Sequence, residues 1–167
     1  MNSYQELLNA LRISPERSKR ADSDFSEMDI IYTEALLMGA GSETLKSVKS
    51  GELAAILSGL VVVAYTALEA LAMRQATVIE HGAESTNDYL MITIMKRLSQ
   101  KIADCASGNP KDYSVLFHYC AHLATDFINA DFEAALTIYH QWRTGQANSN
   151  VDYSNAPLPD FTDCLFE

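Results

Sequence analysis

The chain has 167 residues, 48% hydrophobic and 20% charged, an ordinary globular composition that excludes wholesale disorder. A chain of this length buries roughly 70% of the surface its unfolded form exposes, so one core forms without staples. Twelve basic against 22 acidic residues leave a formal charge of −10. That balance argues against nucleic acid or an anionic membrane as partner, because both require a basic footprint.

The predicted elements are helices almost throughout. Ser3 followed by Glu6 is a capping-box pattern, and Leu7, Leu8 and Leu11 form the stripe of a first helix. The opening MNSYQELLNALRI lacks a basic stretch followed by an apolar one, so no signal peptide is expected. Residues 14–24, SPERSKRADSD, are charged and apolar-poor and read as a loop. A second helix is predicted from about Asp24 to Gly39, with Phe25, Met28, Ile31 and Ala35 spaced by three or four and Gly39 and Gly41 ending it. A long central helix follows, from about Ser50 to Glu80, with His81-Gly82 as its stop. Within it, residues 53–68 read LAAILSGLVVVAYTAL, sixteen without a formal charge. This is shorter than the ~20 a membrane span needs and is followed at once by Glu69, so a helix buried on all sides within a bundle is expected. Ser85 and Asp88 give a capping signal for a helix carrying Leu90, Ile94, Leu98 and Ile102 at i+4 spacing. Asn109-Pro110 opens a final helical region running to about Arg143, bent near Asn129. The reading is therefore an all-α bundle of about five or six helices in one domain, residues 1–144. Residues 145–167 form an acidic C-terminal tail, either disordered or laid across the bundle through Tyr153, Leu158, Phe161 and Leu165. The all-round apolar central helix also predicts a homo-oligomer, since few other helices remain to cover it. Cys105, Cys120 and Cys164 are odd in number and lack a CxxC pair, which points away from disulfides and thiolate zinc and towards a reducing cytoplasm.

Carboxylates are the first chemical candidates. Glu27 and Glu34 are seven residues apart, so they lie within about 20° of each other around a helix. Glu52 falls in the predicted first turn of the central helix. Clustered acids on neighbouring helices suit Mg²⁺, which takes oxygen ligands and shares them with substrate phosphates. The alternative is a solvated face plus an acid favoured by the helix dipole.

The stretch GELAAILSGLVVVAYTALEAL (residues 51–71) resembles the helix opening with an E-L-A-D motif in the all-α nucleoside triphosphate pyrophosphohydrolases, the MazG and phosphoribosyl-ATP pyrophosphatase-like group. EMDIIYTEALLMGAGSETLKSVKS (residues 27–50) is similar to the preceding helix, which there carries an E-E-x-x-E motif. The resemblance covers roughly residues 25–100. It matches Glu34 to a carboxylate of the first motif and Glu52 to the Glu of the second, and makes these the catalytic candidates. Ala55 stands where the second-motif Asp is expected, Ala35 or Thr33 at the paired Glu, and Leu37 or Met38 at the closing Glu. Asp88 or Asp104 is then a replacement ligand beside Glu27, Glu34 and Glu52. The resemblance implies Mg-dependent cleavage of a nucleotide, or another phosphorylated small molecule, to monophosphate and pyrophosphate in a homodimer or larger assembly. The alternative is a non-catalytic helical interaction protein on the same scaffold.

A separate candidate is FHYCAHLATDF (residues 117–127). His118 and His122 share a predicted helix face with Asp126, a spacing that suits a transition metal completed by a third ligand such as His140 or Glu133. The plainer alternative is partial packing with Asp126 as hydrogen-bond partner. Glu69, inside an apolar run, is expected at a helix edge or paired with Arg74 or a lysine. Tyr139 and Trp142 read as packing anchors.

Overall fold

The computed structural model describes residues 3–13, 25–80, 90–147 and 157–166. It is all-α: the helices are α1 (Ser3–Ile13), α2 (Glu27–Ser50), α3 (Leu53–Met73), α4 (Met91–Asp104), α5 (Pro110–His122) and α6 (Phe132–Ala147). Helix α3 is the axis, in contact with α1, α2, α5 and α6, while α4 packs against α2 and α5. By length and composition α3 could cross a membrane, yet 67% of its most apolar window is buried inside the bundle. Leu57, Leu60, Val61, Leu68 and Leu71 are all sealed from solvent around it.

Three boundaries differ from the sequence reading. Helix α2 starts at Glu27, because Ser26 and Asp29 form a capping box: the Asp29 N–H donates to Ser26 Oγ at 3.2 Å and the Ser26 N–H to Asp29 Oδ2 at 3.0 Å. It does not end at Gly39 and Gly41 but runs on to Ser50, where Gly51 at φ 74° takes the left-handed stop. Gly41 is there for space: a Cβ on it would lie 2.6 Å from Ile102 Cδ1 of α4. Helix α3 stops at Met73 rather than near Glu80, with Gln75 at φ 52° and the Ala76 N–H closing back on the Leu71 carbonyl at 2.9 Å. The exit strand of chain is pinned by the Arg12 guanidinium donating to the Ala76 carbonyl and by the Ile79 N–H donating to Ser114 Oγ at 3.0 Å.

Asn109 caps α5 as expected, its Oδ1 accepting from the Lys111 N–H at 2.9 Å. The chain beyond is two helices rather than one bent helix. A π turn over Leu123–Phe127 and Asn129 at φ 57° separate α5 from α6. Ile94, Leu98 and Ile102 of α4 face inward, but Leu90 is exposed. The proposed cap at residues 85–88 and the His81-Gly82 stop lie outside the described residues, as does Tyr153. Residues 157–166 lie across the bundle: Phe161 and Cys164 are buried, and Ala130 and Leu165 form an antiparallel bridge. The Asp131 N–H donates to the Cys164 carbonyl at 2.7 Å and the Phe166 N–H to the Asn129 carbonyl at 3.0 Å. Leu158 stays half-exposed.

The tightest helix crossing joins α2 to α3 at Gly59, where a Cβ would meet Thr44 Oγ1 at 2.4 Å and its Cα at 2.9 Å. A Gly59→Ala substitution must therefore push the two helices apart and is expected to cost about 1–3 kcal/mol. Gly39 faces open space, so Gly39→Ala is expected to stabilise by up to about 1 kcal/mol through helix propensity. Urea denaturation of the two variants checks both signs.

Candidate functional site

Helix α2 decides where the acids go. Glu27 is exposed at its first turn and Glu52 exposed just past its end, as the N-cap residue of α3. Because α2 spans 24 residues, these two carboxylates stand about 36 Å apart along its axis. Glu34 lies two turns in from Glu27 and faces α4. Its Oε2 is buried without a hydrogen-bond partner, and burial raises its pKa from an ordinary 4.5 to about 7. Asp88 lies outside the described residues, and Asp104 is exposed and accepts from Gln100 at 2.9 Å. Glu27, Glu34 and Glu52 do not fit one Mg²⁺, and among the described residues no three His, Cys, Asp or Glu side chains form a metal-holding group.

The histidine pair is likewise divided. His118 Nε2 lies 3.1 Å from the Ile79 carbonyl, with the ring edge-on to Tyr4. His122 Nδ1 contacts Asp126 Oδ2 at 2.7 Å across the α5–π junction. The hydrogen-bond-partner reading of Asp126 describes this arrangement, and His140 is engaged elsewhere. All three cysteines are free and buried, and burial pushes the Cys105 and Cys120 thiols well up.

Two concave features flank α2. The larger, about 770 Å³, lies between α2, α3 and α6. Ala55 and both alternatives for the paired Glu, Thr33 and Ala35, line it, whereas Leu37 is buried and Met38 lines the smaller groove. Of the acids it contains, Asp29 caps α2 and Glu69 accepts from Arg143 at 3.1 Å, while Glu43 makes only an exposed pair with Lys46 at 2.9 Å. The Arg143 guanidinium also stands 5.8 Å from the Tyr65 ring centre, and Tyr65 Oη lies 2.9 Å from His140 Nδ1. Burial lowers the His140 pKa, with the nearby Glu69 charge acting in the opposite direction. The sequence places Glu69 at a helix edge or paired with Arg74 or a lysine; its partner is Arg143 of α6. Matching i, i+4 pairs carried the signal, Tyr65 with Glu69 on α3 and Tyr139 with Arg143 on α6.

The smaller feature is a groove of about 490 Å³ between α2 and α4. Glu34 lines one part, Lys46 and Lys49 another, and Leu45, Leu98 and Ile102 give it an apolar floor.

No family model, curated protein or solved structure matches the chain.

The raised pKa of Glu34 has a signed consequence. The unfolded chain releases this proton near 4.5 and the folded chain near 7, so the stability it contributes is complete below 4.5 and is lost as pH rises through about 7. Glu34→Gln keeps the neutral shape at every pH. Its melting temperature is expected to match the parent's near pH 4 and exceed it near pH 8, as read by thermal denaturation across that range.

Proposed function

We propose that this chain is a non-catalytic helical interaction protein on a pyrophosphohydrolase-like scaffold, and that it associates with a second copy of itself through α2. The observation that carries the reading is the division of labour on that helix. Its cleft side offers Thr33 or Ala35 where the resemblance to the pyrophosphohydrolases places a paired Glu, and α3 opposes it with Ala55 at the place of the second-motif Asp. Its outward side is apolar over the first turns: Met28 is 69%, Ile31 53% and Tyr32, at the rim of the cleft, 66% exposed. These residues repeat at i, i+3 and i+4, the spacing of a face built to be covered. Ala35 and Gly39, at the edge this patch shares with the cleft, extend it with small side chains, which lets a second helix approach closely. A two-fold pairing needs only one self-complementary patch, and from Met28 to Gly39 the formal charges are Asp29, which accepts from the Ser26 N–H in the capping box, and Glu34, which faces α4.

Oligomerisation was expected from the apolar central helix. That helix is mostly covered within the chain, so the case for a dimer moves from α3 to α2.

Two measurements test the proposal. Light scattering at tens of micromolar is expected to give a dimer for the parent and a monomer for Ile31→Lys, whose melting profile should remain cooperative. Pyrophosphate release from a panel of nucleoside triphosphates with Mg²⁺ or Mn²⁺ is expected to be absent. Release that disappears in Glu34→Gln would establish the enzymatic reading instead, and a parent that scatters as a monomer would remove the interaction reading.

A further inference from the structure

We infer that the groove between α2 and α4 is a binding site for a linear amphiphile with an anionic head, of the long-chain carboxylate class. The inference is independent of how α2 associates with a second copy.

Charge placement is the first argument. The chain carries only twelve basic residues against 22 acidic ones, yet two lysines, Lys46 and Lys49, line this one groove. Lys46 is held at 2.9 Å by Glu43, but both side chains are about 70% exposed. Such a pair is screened by water and contributes little, so an incoming carboxylate can take its place. The hydroxyls of Ser42 and Ser99 line the same groove and offer donors to an anionic head.

The shape supplies the second argument. From the lysines the groove continues over Leu45, Leu98 and Ile102, with Met38 as a flexible wall. Gly41 lets α4 close in beneath, since a Cβ there would strike Ile102 Cδ1 at 2.6 Å. Lys49 and Glu34 are fifteen residues apart on one helix, so the groove's polar ends are separated by about 22 Å. This length and apolar floor fit an extended hydrocarbon chain better than a compact polar metabolite.

Glu34 supplies the third. A charged carboxylate at the far end would repel an anionic ligand and keep water beside the chain. Burial instead holds this one protonated to about pH 7. Its buried, unpartnered Oε2 lies on the side of α2 that lines the groove, so a neutral group terminates the apolar run.

The test is titration of the full chain, below the micelle threshold, with a fluorescent polyene C18 carboxylate, followed by displacement with unlabelled saturated carboxylates. Saturable one-to-one binding is expected, strengthening about two- to fourfold for each methylene added to the competitor. The Lys46→Gln/Lys49→Gln double variant should weaken binding by about tenfold. Ser99→Trp, at an exposed groove position, should block it while leaving the melting temperature unchanged. Three results would overturn the site: no saturable binding, equal displacement by a cationic amphiphile of the same chain length, or undiminished binding by a folded Ser99→Trp protein. Association with anionic phospholipid vesicles but not with the free carboxylate would also overturn it, by placing the affinity in a bilayer surface.

Discussion

The contact between Gly59 of α3 and Thr44 of α2 brings two backbones closer than any pair of larger side chains permits. Thr44 is itself buried and satisfies its hydroxyl by donating to the Ala40 carbonyl at 2.8 Å. Because α3 is the bundle's axis, this crossing fixes the rotation of α2 about its own length. Thr33, Ala35 and Leu36 then line the cleft beside α3, Glu34 and Met38 line the groove beside α4, and Met28 and Ile31 are left in solvent. Each chemical property assigned to α2 follows from that rotation. A rotation of one residue, about 100°, would carry Glu34 out of its desolvated position and bury a different set of side chains.

Electrostatics inside the bundle follow the same economy of partners. Glu69 sits on the otherwise apolar α3 with its side chain only 17% exposed, and Arg143 reaches it from α6. The pair is bracketed by the Tyr65 and Tyr139 rings, which meet edge to face with centroids 4.9 Å apart. Removing either charge would strand the other in a partly desolvated place, so the bridge is better read as a mutual necessity than as a source of stability. Glu34 represents the other solution available to a buried acid. Lacking a cationic partner, it keeps its proton up to about pH 7.

Features legible from sequence were those set by local chemistry. Asn109-Pro110 starts α5 because the side chain and the ring act on their own turn. Leu57, Leu60, Val61 and Leu68 are core because no formal charge interrupts them over four turns. Phe161 and Leu165 do anchor the C-terminal segment against the core, while Leu158 and Phe166 stay exposed. The misread features depended on distant residues. Gly39 and Gly41 resemble helix stops, and local propensity disfavours both by about 1 kcal/mol. Only the presence of Ile102, sixty-one positions away from Gly41 in sequence, makes a glycine within a helix the better choice. Asn129 was recognised as a break but not as a full separation of helices, because the π turn before it has no sequence signature.

Among the described residues the candidate metal ligands are not brought together, for a related reason. Periodicity reports direction around a helix and is silent on distance along it and on what stands opposite. Glu27 and Glu34 do share an angular sector, but one is at the solvated first turn and the other is enclosed against α4. Glu52 would have joined them only if α2 had ended near Gly39 and let the chain return at once; eleven further helical residues, to Ser50, carry it away. His118 and His122 share a face as well, yet the first meets the backbone at Ile79 and the second meets Asp126. A carboxylate or imidazole becomes a ligand only when a second element supplies its complement within a few ångströms. In this fold the elements facing those side chains supply a hydrocarbon floor, a carbonyl and an intrahelical partner, and the chemistry open to α2 is correspondingly that of burial and association.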